Sequence, residues 1–203
     1  MTFVAFERVA LIGIGLIGSS LSHAMRRRGL ARSIVGHARS EATRKTALDL
    51  GLVERAHDTA ATAVEGADLV ILCTPVGVCG ALAAEIGPRL EKGAILTDVG
   101  SVKGAIVRDV GPHVPAGVHF VPGHPIAGTE YSGPQSGFAE LFDGRWTILT
   151  PPADTDPAAV DRNNALLRAA IGAQPVFLNQ VHGAQVVRLF EPDAAPDAPV
   201  HTA

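Results

Sequence analysis

The sequence predicts an α/β fold built on a doubly wound, mostly parallel sheet of the Rossmann type. Short apolar segments rich in β-branched residues alternate with segments of helical character over roughly the first 150 residues. The first of these apolar segments, residues 9–12, leads directly into the pattern Gly-x-Gly-x-x-Gly, and a helix-forming segment follows it. A strand, a glycine-rich turn and a helix in this order are typical of the first crossover of such a sheet.

The remaining elements follow in alternation. We predict strands at residues 9–12, 33–36, 67–74, 94–98, 118–121 and 146–149. We predict helices over residues 20–28, 41–50 and 78–90, with a further helix beginning near Ser101. Gly29 and Gly51 directly follow the first two helices, where a glycine commonly ends a helix.

The glycine pattern predicts a dinucleotide-binding turn. Gly13 allows the tight turn, Gly15 leaves room for a pyrophosphate to approach the backbone, and Gly18 lets the helix pack close to the strand. Leu16 and Ile17 are also candidate cofactor-binding residues, because a helix N-terminus offers N–H groups and a positive dipole end to phosphates. The alternative interpretation is a tight β–α turn that binds no ligand.

The end of the second strand bears on which dinucleotide is bound. An acidic residue about 20 positions after the glycines would bind the ribose hydroxyls of NAD. This chain has Arg39 and Ser40 there, which suit a 2′-phosphate, so we predict NADP, with NAD as the alternative. Arg39 could also be only a surface residue at the start of the next helix. Thr74 and Pro75 complete the predicted cofactor-binding residues, because ligands collect beyond the carboxyl ends of parallel strands.

The composition excludes several classes of partner. The formal net charge of −3 favours neither nucleic acid nor an anionic membrane surface. We expect a cytoplasmic protein, because the N-terminus lacks the pattern of a signal peptide and no apolar run could span a bilayer. Cys73 and Cys79 match no common zinc pattern and are expected to be buried free thiols.

Two later motifs are more specific than the glycine turn. Residues 98–104 read Asp-Val-Gly-Ser-Val-Lys-Gly, and residues 123–130 read Gly-His-Pro-Ile-Ala-Gly-Thr-Glu. With the glycine pattern before them, these motifs make residues 1–152 resemble the nucleotide-binding domain of the prephenate/arogenate dehydrogenase family. The resemblance implies a small-molecule substrate, prephenate or arogenate, which is oxidised and decarboxylated with NAD(P)+ in tyrosine biosynthesis.

The resemblance also implies three catalytic residues. As hydride leaves the ring carbon that bears the hydroxyl, that hydroxyl must lose its proton, and a neutral imidazole within hydrogen-bond reach can accept it. By resemblance this imidazole is that of His124, Ser101 is its partner, and Glu130 lies near the substrate entrance. Ser101 could also be a helix N-cap, and we assign no role to Lys103.

The resemblance stops at Pro152. The family continues with a helical domain that forms the homodimer and binds the substrate carboxylates, and we find no long amphipathic helices here. Residues 153–203 are predicted to be a separate segment with a partly disordered tail. Within it, residues 175–187 resemble a piece of the laccase-domain (multicopper polyphenol oxidase-like) family, including its metal-binding histidine at His182. We predict no metal site, because one ligand does not hold zinc well.

Two accounts of this organisation are open: a chimeric chain joined near residues 154–160, or a natural truncation with an unrelated tail. The sequence therefore supports two functions, an NAD(P)-dependent prephenate or arogenate dehydrogenase and a folded NAD(P)-binding fragment without catalytic activity. Further hypotheses are a different dehydrogenase with this fold and a zinc enzyme that acts on nucleosides.

Overall fold

The computed structural model describes residues 4–152, residue 158 and residues 174–177, and the elements below lie within them. The strands are β1 (Phe6–Ile12), β2 (Ala31–His37), β3 (Arg55–His57), β4 (Leu69–Leu72), β5 (Ile95–Asp98), β6 (His119–Phe120), β7 (Gly123–Pro125), β8 (Trp146–Leu149) and β9 (Gln174–Phe177). The helices are α1 (Leu16–Arg28), α2 (Glu41–Asp49), α3 (Ala60–Val64), α4 (Val76–Ile86) and α5 (Lys103–Val110). Short 3-10 turns occupy Gly87–Arg89, Gly111–His113, Pro134–Ser136 and Ala139–Phe142.

Six strands form one parallel sheet in the order β3-β2-β1-β4-β5-β6. The strand order reverses between β1 and β4, which are the two central strands. In doubly wound sheets, ligands bind at this reversal, beyond the carboxyl ends of the strands. The predicted fold class is confirmed.

Both faces of the sheet are covered. Alternate residues of β1 point to opposite faces, so that Val9 and Leu11 join one apolar cluster and Ala10 and Ile12 join the other. Side chains of α1 and of the segment around Phe142 complete the first cluster, and side chains of α3, α4 and α5 complete the second. Burial on both faces explains why these strands read as continuous apolar runs in the sequence.

A second, smaller sheet has the order β7-β8-β9. β7 is antiparallel to β8, with His124 opposite Ile148, and β9 runs parallel to β8. The sequence predicted β8 with the observed bounds but missed β3, β7, β9 and α3. These are short elements whose pattern is too brief to detect.

Several element ends differ from their predicted positions. The strand predicted at residues 67–74 is confined to Leu69–Leu72, and α1 extends the predicted helix back to Leu16. The helix expected to begin near Ser101 starts at Lys103 and has Val102 as its N-cap, so the predicted capping role of Ser101 is wrong.

Part of the predicted C-terminal segment lies in the small sheet. β9 falls beyond residue 152, and it overlaps the first residues of the stretch 175–187, for which a laccase-domain resemblance was predicted. His182, the predicted disordered tail and all of the proposed junction at residues 154–160 except residue 158 lie outside the described residues. None of the described helices is both long and apolar enough to cross a membrane.

Candidate dinucleotide and catalytic site

The glycine turn between β1 and α1 lies against the end of β4. Gly13 has a φ of 104°, and a Cβ atom there would be 2.6 Å from the carbonyl oxygen of Cys73. A Cβ atom on Gly18 would be 2.2 Å from the carbonyl oxygen of Gly13. A Cβ atom on Gly15 would meet nothing within 4 Å. Two glycines thus permit close packing of the turn, and the third borders open space.

The same turn presents an uncapped helix N-terminus. Gly15 is the N-cap of α1 and has no side chain to bond the first N–H groups, while Leu16 and Ile17 are half-buried. Ser19 turns its hydroxyl back to the Gly15 carbonyl at 2.7 Å. Because no side chain occupies the N-terminus, its N–H groups and positive dipole end face the open side of the turn and can bind an anion.

Thr74 and Pro75 border the turn from the neighbouring strand. They follow β4 directly, and the Thr74 methyl group would lie 2.9 Å from a Cβ atom on Gly13. Pro75 is exposed and serves as the N-cap of α4. The structure therefore brings these two predicted residues beside the glycine turn.

Arg39 and Ser40 follow β2 at the same edge of the sheet. The Gly13 amide donates to the carbonyl of His37, the last residue of β2, at 2.8 Å, which joins the two turns. Arg39 is exposed, and its guanidinium forms no hydrogen bond or ion pair with the described residues. Ser40 caps α2 by accepting a 3.0 Å hydrogen bond from the Thr43 amide. The Arg39 guanidinium can thus bind an anion without breaking a contact to a described residue, whereas the Ser40 hydroxyl already caps α2.

A buried ion pair lies where β5 ends. Asp98 is 2% exposed and Lys103 is 5% exposed, and the ammonium of Lys103 donates to the Asp98 carboxylate. The carboxylate also accepts from the amides of Gly100 at 2.8 Å and Gly123 at 3.2 Å. Burial raises the pKa of Asp98 and lowers the pKa of Lys103, and the attraction between the two charges opposes both shifts. The sequence pattern alone did not indicate this role for Lys103.

His124 lies on β7 next to that pair. Its ring is partly buried, and Nδ1 is shielded from solvent without a hydrogen-bond partner among the described residues. Burial, together with the nearby charge of Lys103, lowers the pKa of His124, while the backbone of Val99 and the carboxylate of Asp98 act in the opposite direction. The imidazole is therefore favoured in its neutral form, as a proton acceptor requires.

Ser101 and Glu130 are less closely placed. Ser101 is exposed in the turn between β5 and α5, and within the described part of the chain it forms no hydrogen bond with His124. Glu130 is exposed in the loop after β7, without an ion pair to any described residue. The structure thus puts both residues on the solvent side of the motif-bearing turns.

The segment after Glu130 is fastened to α1. A Cβ atom on Gly137 would be 2.1 Å from the Ser19 hydroxyl oxygen, and the Phe138 amide donates to the Ser20 hydroxyl at 3.1 Å. Arg27 pairs with Glu140 at 2.7 Å in the same region. This attachment was not apparent from the sequence, because more than 110 residues separate its two sides.

The thiols and possible metal ligands add no further chemistry to the site. Both cysteines are free, and burial raises the pKa of each thiol. Among residues 4–152, 158 and 174–177, no three potential metal ligands of the His, Cys, Asp or Glu type cluster together.

Comparison with known proteins identifies one family. A sequence model of the prephenate dehydrogenase nucleotide-binding domain matches residues 21–176, starting just after the glycine turn and extending past residue 152. Cyclohexadienyl dehydrogenase of Zymomonas mobilis is 41% identical over 155 residues, which are 76% of this chain and 53% of that protein. The chain spans about half the length of the curated relatives it matches.

Two crystal structures share the fold with appreciable sequence identity. Synechocystis arogenate dehydrogenase has a TM-score of 0.76 and 31% identity, over 84% of this chain and 59% of that one. Prephenate dehydrogenase from A. aeolicus, in complex with hydroxyphenyl propionate and NAD+, has a TM-score of 0.73 and 31% identity, over 85% of this chain and 59% of that one.

Proposed function

This chain belongs to the prephenate dehydrogenase family through its nucleotide-binding domain, and we propose that it binds NAD(P)+ and oxidises prephenate or arogenate with loss of carbon dioxide. One observation carries the proposal: the partly buried His124 imidazole, whose pKa is lowered, lies beside the Asp98–Lys103 pair at the end of β5. β5 runs parallel to β4 and β1, so this pair and the glycine turn lie at the same edge of the parallel sheet. The two are connected through neighbouring strands, since the Val99 amide after β5 donates to Leu72 at the end of β4. The reaction needs an acceptor for the hydride, which a cofactor bound in the turn would supply, and an acceptor for the proton, which the imidazole would supply.

The residues of the turn fit a dinucleotide. The open space beside Gly15 and the uncapped start of α1 suit a pyrophosphate. The guanidinium of Arg39, which pairs with none of the described residues, suits a 2′-phosphate, so we propose NADP+ as the preferred cofactor. Support for a nicotinamide cofactor also comes from the A. aeolicus relative, whose crystal structure contains NAD+.

The protein's part in the reaction is positioning and proton transfer. The nicotinamide, when bound, accepts hydride from the ring carbon that bears the hydroxyl. We propose that His124 accepts the hydroxyl proton as the carbonyl forms, while the ring carboxylate leaves as carbon dioxide and the ring becomes aromatic. Ser101 is proposed to orient the imidazole and Glu130 to border the substrate entrance; both would have to approach the substrate from their exposed turns. The hydroxyphenyl propionate bound by the A. aeolicus relative is an aromatic acid, which supports this substrate class.

Further expectations stand with this proposal. The resemblance implies a homodimer for the family, formed through the family's helical domain, and nucleic acid and membranes are not expected partners. A cytoplasmic location agrees with two free cysteines, because oxidising compartments favour disulfides. The domain boundary at residue 152 stays a prediction.

The proposal is tested by replacing His124 with asparagine. We expect turnover of prephenate or arogenate with NADP+ to fall by about 10²- to 10⁴-fold, because the proton acceptor is lost, while NADP+ affinity is unchanged. His113→Asn, at an exposed position on a 3-10 turn, is the matched control and should behave as the wild-type chain. Turnover that survives in the His124 variant would remove the assigned role. NADP+ binding by the wild-type chain without turnover would favour the non-catalytic alternative.

A further inference from the structure

The buried pair of Lys103 and Asp98 also forms hydrogen bonds with the backbone of Gly123. The Lys103 ammonium donates to the Gly123 carbonyl at 2.6 Å, and the Asp98 carboxylate accepts from the Gly123 amide at 3.2 Å. Both polar groups of Gly123 are therefore held by this pair. Gly123 is the residue that directly precedes His124, so the pair holds the backbone from which the imidazole projects.

Close packing strengthens this hold. A Cβ atom on Gly123 would be only 3.2 Å from the Asp98 carbonyl oxygen and 3.4 Å from the Leu149 side chain. On the other side, His124 is registered opposite Ile148 in the β7–β8 pair. The backbone of β7 is thus fixed between the end of β5 and β8, and the ion pair bonds it on the β5 side.

A contribution to stability alone gives little reason for a buried ion pair at this position. Removing two charges from water is costly, and apolar residues of similar volume often serve stability as well as a buried ion pair does. An ion pair with directed hydrogen bonds supplies orientation instead, since each bond requires a particular distance and angle.

We propose that Lys103, held by Asp98, is a positioning residue that fixes the Gly123 peptide and thereby aims the His124 imidazole at the reacting hydroxyl. This proposal rests on the function proposed above, in which His124 accepts the hydroxyl proton. Lys103 itself touches neither substrate nor cofactor in this account.

The electrostatics of the site agree with the geometry. The charged groups that act on His124 are Lys103, which lowers its pKa, and Asp98, which raises it. A fixed ammonium beside the ring therefore helps to keep the imidazole unprotonated, in the state that can accept a proton.

The test follows the His124 ring directly. In the wild-type chain, NMR titration identifies the His124 resonance by its loss in His124→Asn. In Lys103→Met we expect the pKa of His124 to rise, because the neighbouring positive charge is gone, and its resonance to shift or broaden as the ring loses its fixed position. NADP+ affinity should stay within about twofold of the wild-type value, because the glycine turn is untouched. Lys45→Met, which removes an ion-paired lysine on the surface of α2, is the control and should leave the resonance unchanged.

A second variant covers the case in which Lys103→Met does not fold. Asp98→Asn with Lys103→Met removes both charges of the buried pair, so it should fold, yet it still lacks the donor to the Gly123 carbonyl. We expect a displaced His124 resonance, and where the wild-type chain turns over substrate, kcat should fall roughly tenfold to hundredfold with KM little changed. A folded double variant with a wild-type His124 resonance would overturn the proposal. If the wild-type chain binds NADP+ without turnover, the proposed function fails, and if His124→Asn retains turnover, the role of His124 as proton acceptor fails. In both cases the NMR result still reports whether Lys103 positions the ring.

Discussion

Gly15→Ala is expected to abolish dinucleotide binding while leaving the fold intact. A Cβ atom at this position meets nothing within 4 Å, and the φ of −94° is accessible to alanine. Alanine is a poorer N-cap than glycine but restricts the unfolded chain, so the free energy of unfolding should change by less than about 1 kcal/mol. The added methyl group occupies the space through which a pyrophosphate approaches the backbone.

Gly18→Ala provides the contrast within the same turn. Its Cβ atom would lie 2.2 Å from the Gly13 carbonyl oxygen and 3.4 Å from the Cys73 side chain. Ordinary contact distances are above about 3.4 Å, so the turn would have to move by roughly 1 Å. Overpacking of this kind costs about 1–3 kcal/mol. We therefore expect Gly18→Ala to lose both stability and cofactor binding.

Urea unfolding with and without NADP+ separates the two effects. At about 100 times its Kd, a ligand raises the free energy of unfolding by about 2.7 kcal/mol. Gly15→Ala should show the wild-type curve without NADP+ and no increment with it. An undiminished increment in Gly15→Ala would show that the pyrophosphate does not approach this turn. Wild-type stability in Gly18→Ala would refute the packing argument.

Three further measurements address other parts of the molecule. Arg39→Asp should shift the ratio of NADP+ to NAD+ affinity towards NAD+ by roughly tenfold or more, and an unchanged ratio in titrations would show that this guanidinium does not meet the 2′-phosphate. Phe142→Ala, at a fully buried side chain, should lower the free energy of unfolding by about 3–5 kcal/mol in urea, whereas Phe138→Ala, at 39% exposure, should cost much less; equal losses would contradict the assigned core. The pKa values of His124 and His57 are lowered in the folded chain from the ordinary histidine value of 6.5, so just below pH 6.5 the unfolded chain binds more protons than the folded chain. The free energy of unfolding should therefore decline as the pH falls through 6.5, and His124→Asn should flatten this decline. A free energy of unfolding that rises as the pH falls would contradict the prediction.

The parallel sheet could be predicted because its signals are local. Strands buried on both faces read as apolar runs, and a glycine pattern directly after the first run marks a turn that can be recognised without knowing its neighbours. The same reasoning explains why Trp146–Leu149 was predicted with the observed bounds, since Pro151 and Pro152 follow it closely. Short elements such as β7 have only three residues and no period to detect.

The role of Lys103 could not be predicted because its partners are set by the fold. A lysine in a sequence is most often a solvated surface charge. Its acceptor Asp98 is five residues away and the Gly123 carbonyl is twenty away, and they meet only once β5 and β7 are in place. The exposed positions of Ser101 and Glu130 have the same origin, because proximity in a motif does not determine which side of a turn a side chain takes.

The glycine turn and the segment that carries His124 and Glu130 are connected by direct contacts as well as by the sheet. The segment after Glu130 meets α1 through the contact of Gly137 with Ser19 and the hydrogen bond from Phe138 to Ser20. The helix that begins at the glycine turn is thus attached to the chain that leaves β7. Gly18→Ala would force α1 to shift, and we expect this shift to move the loop beyond His124 as well. The contact between Gly137 and Ser19 is too closely packed to absorb the shift. For this reason a change in the turn that distorts α1 should perturb the surroundings of His124, whereas a change confined to open space, such as Gly15→Ala, should not.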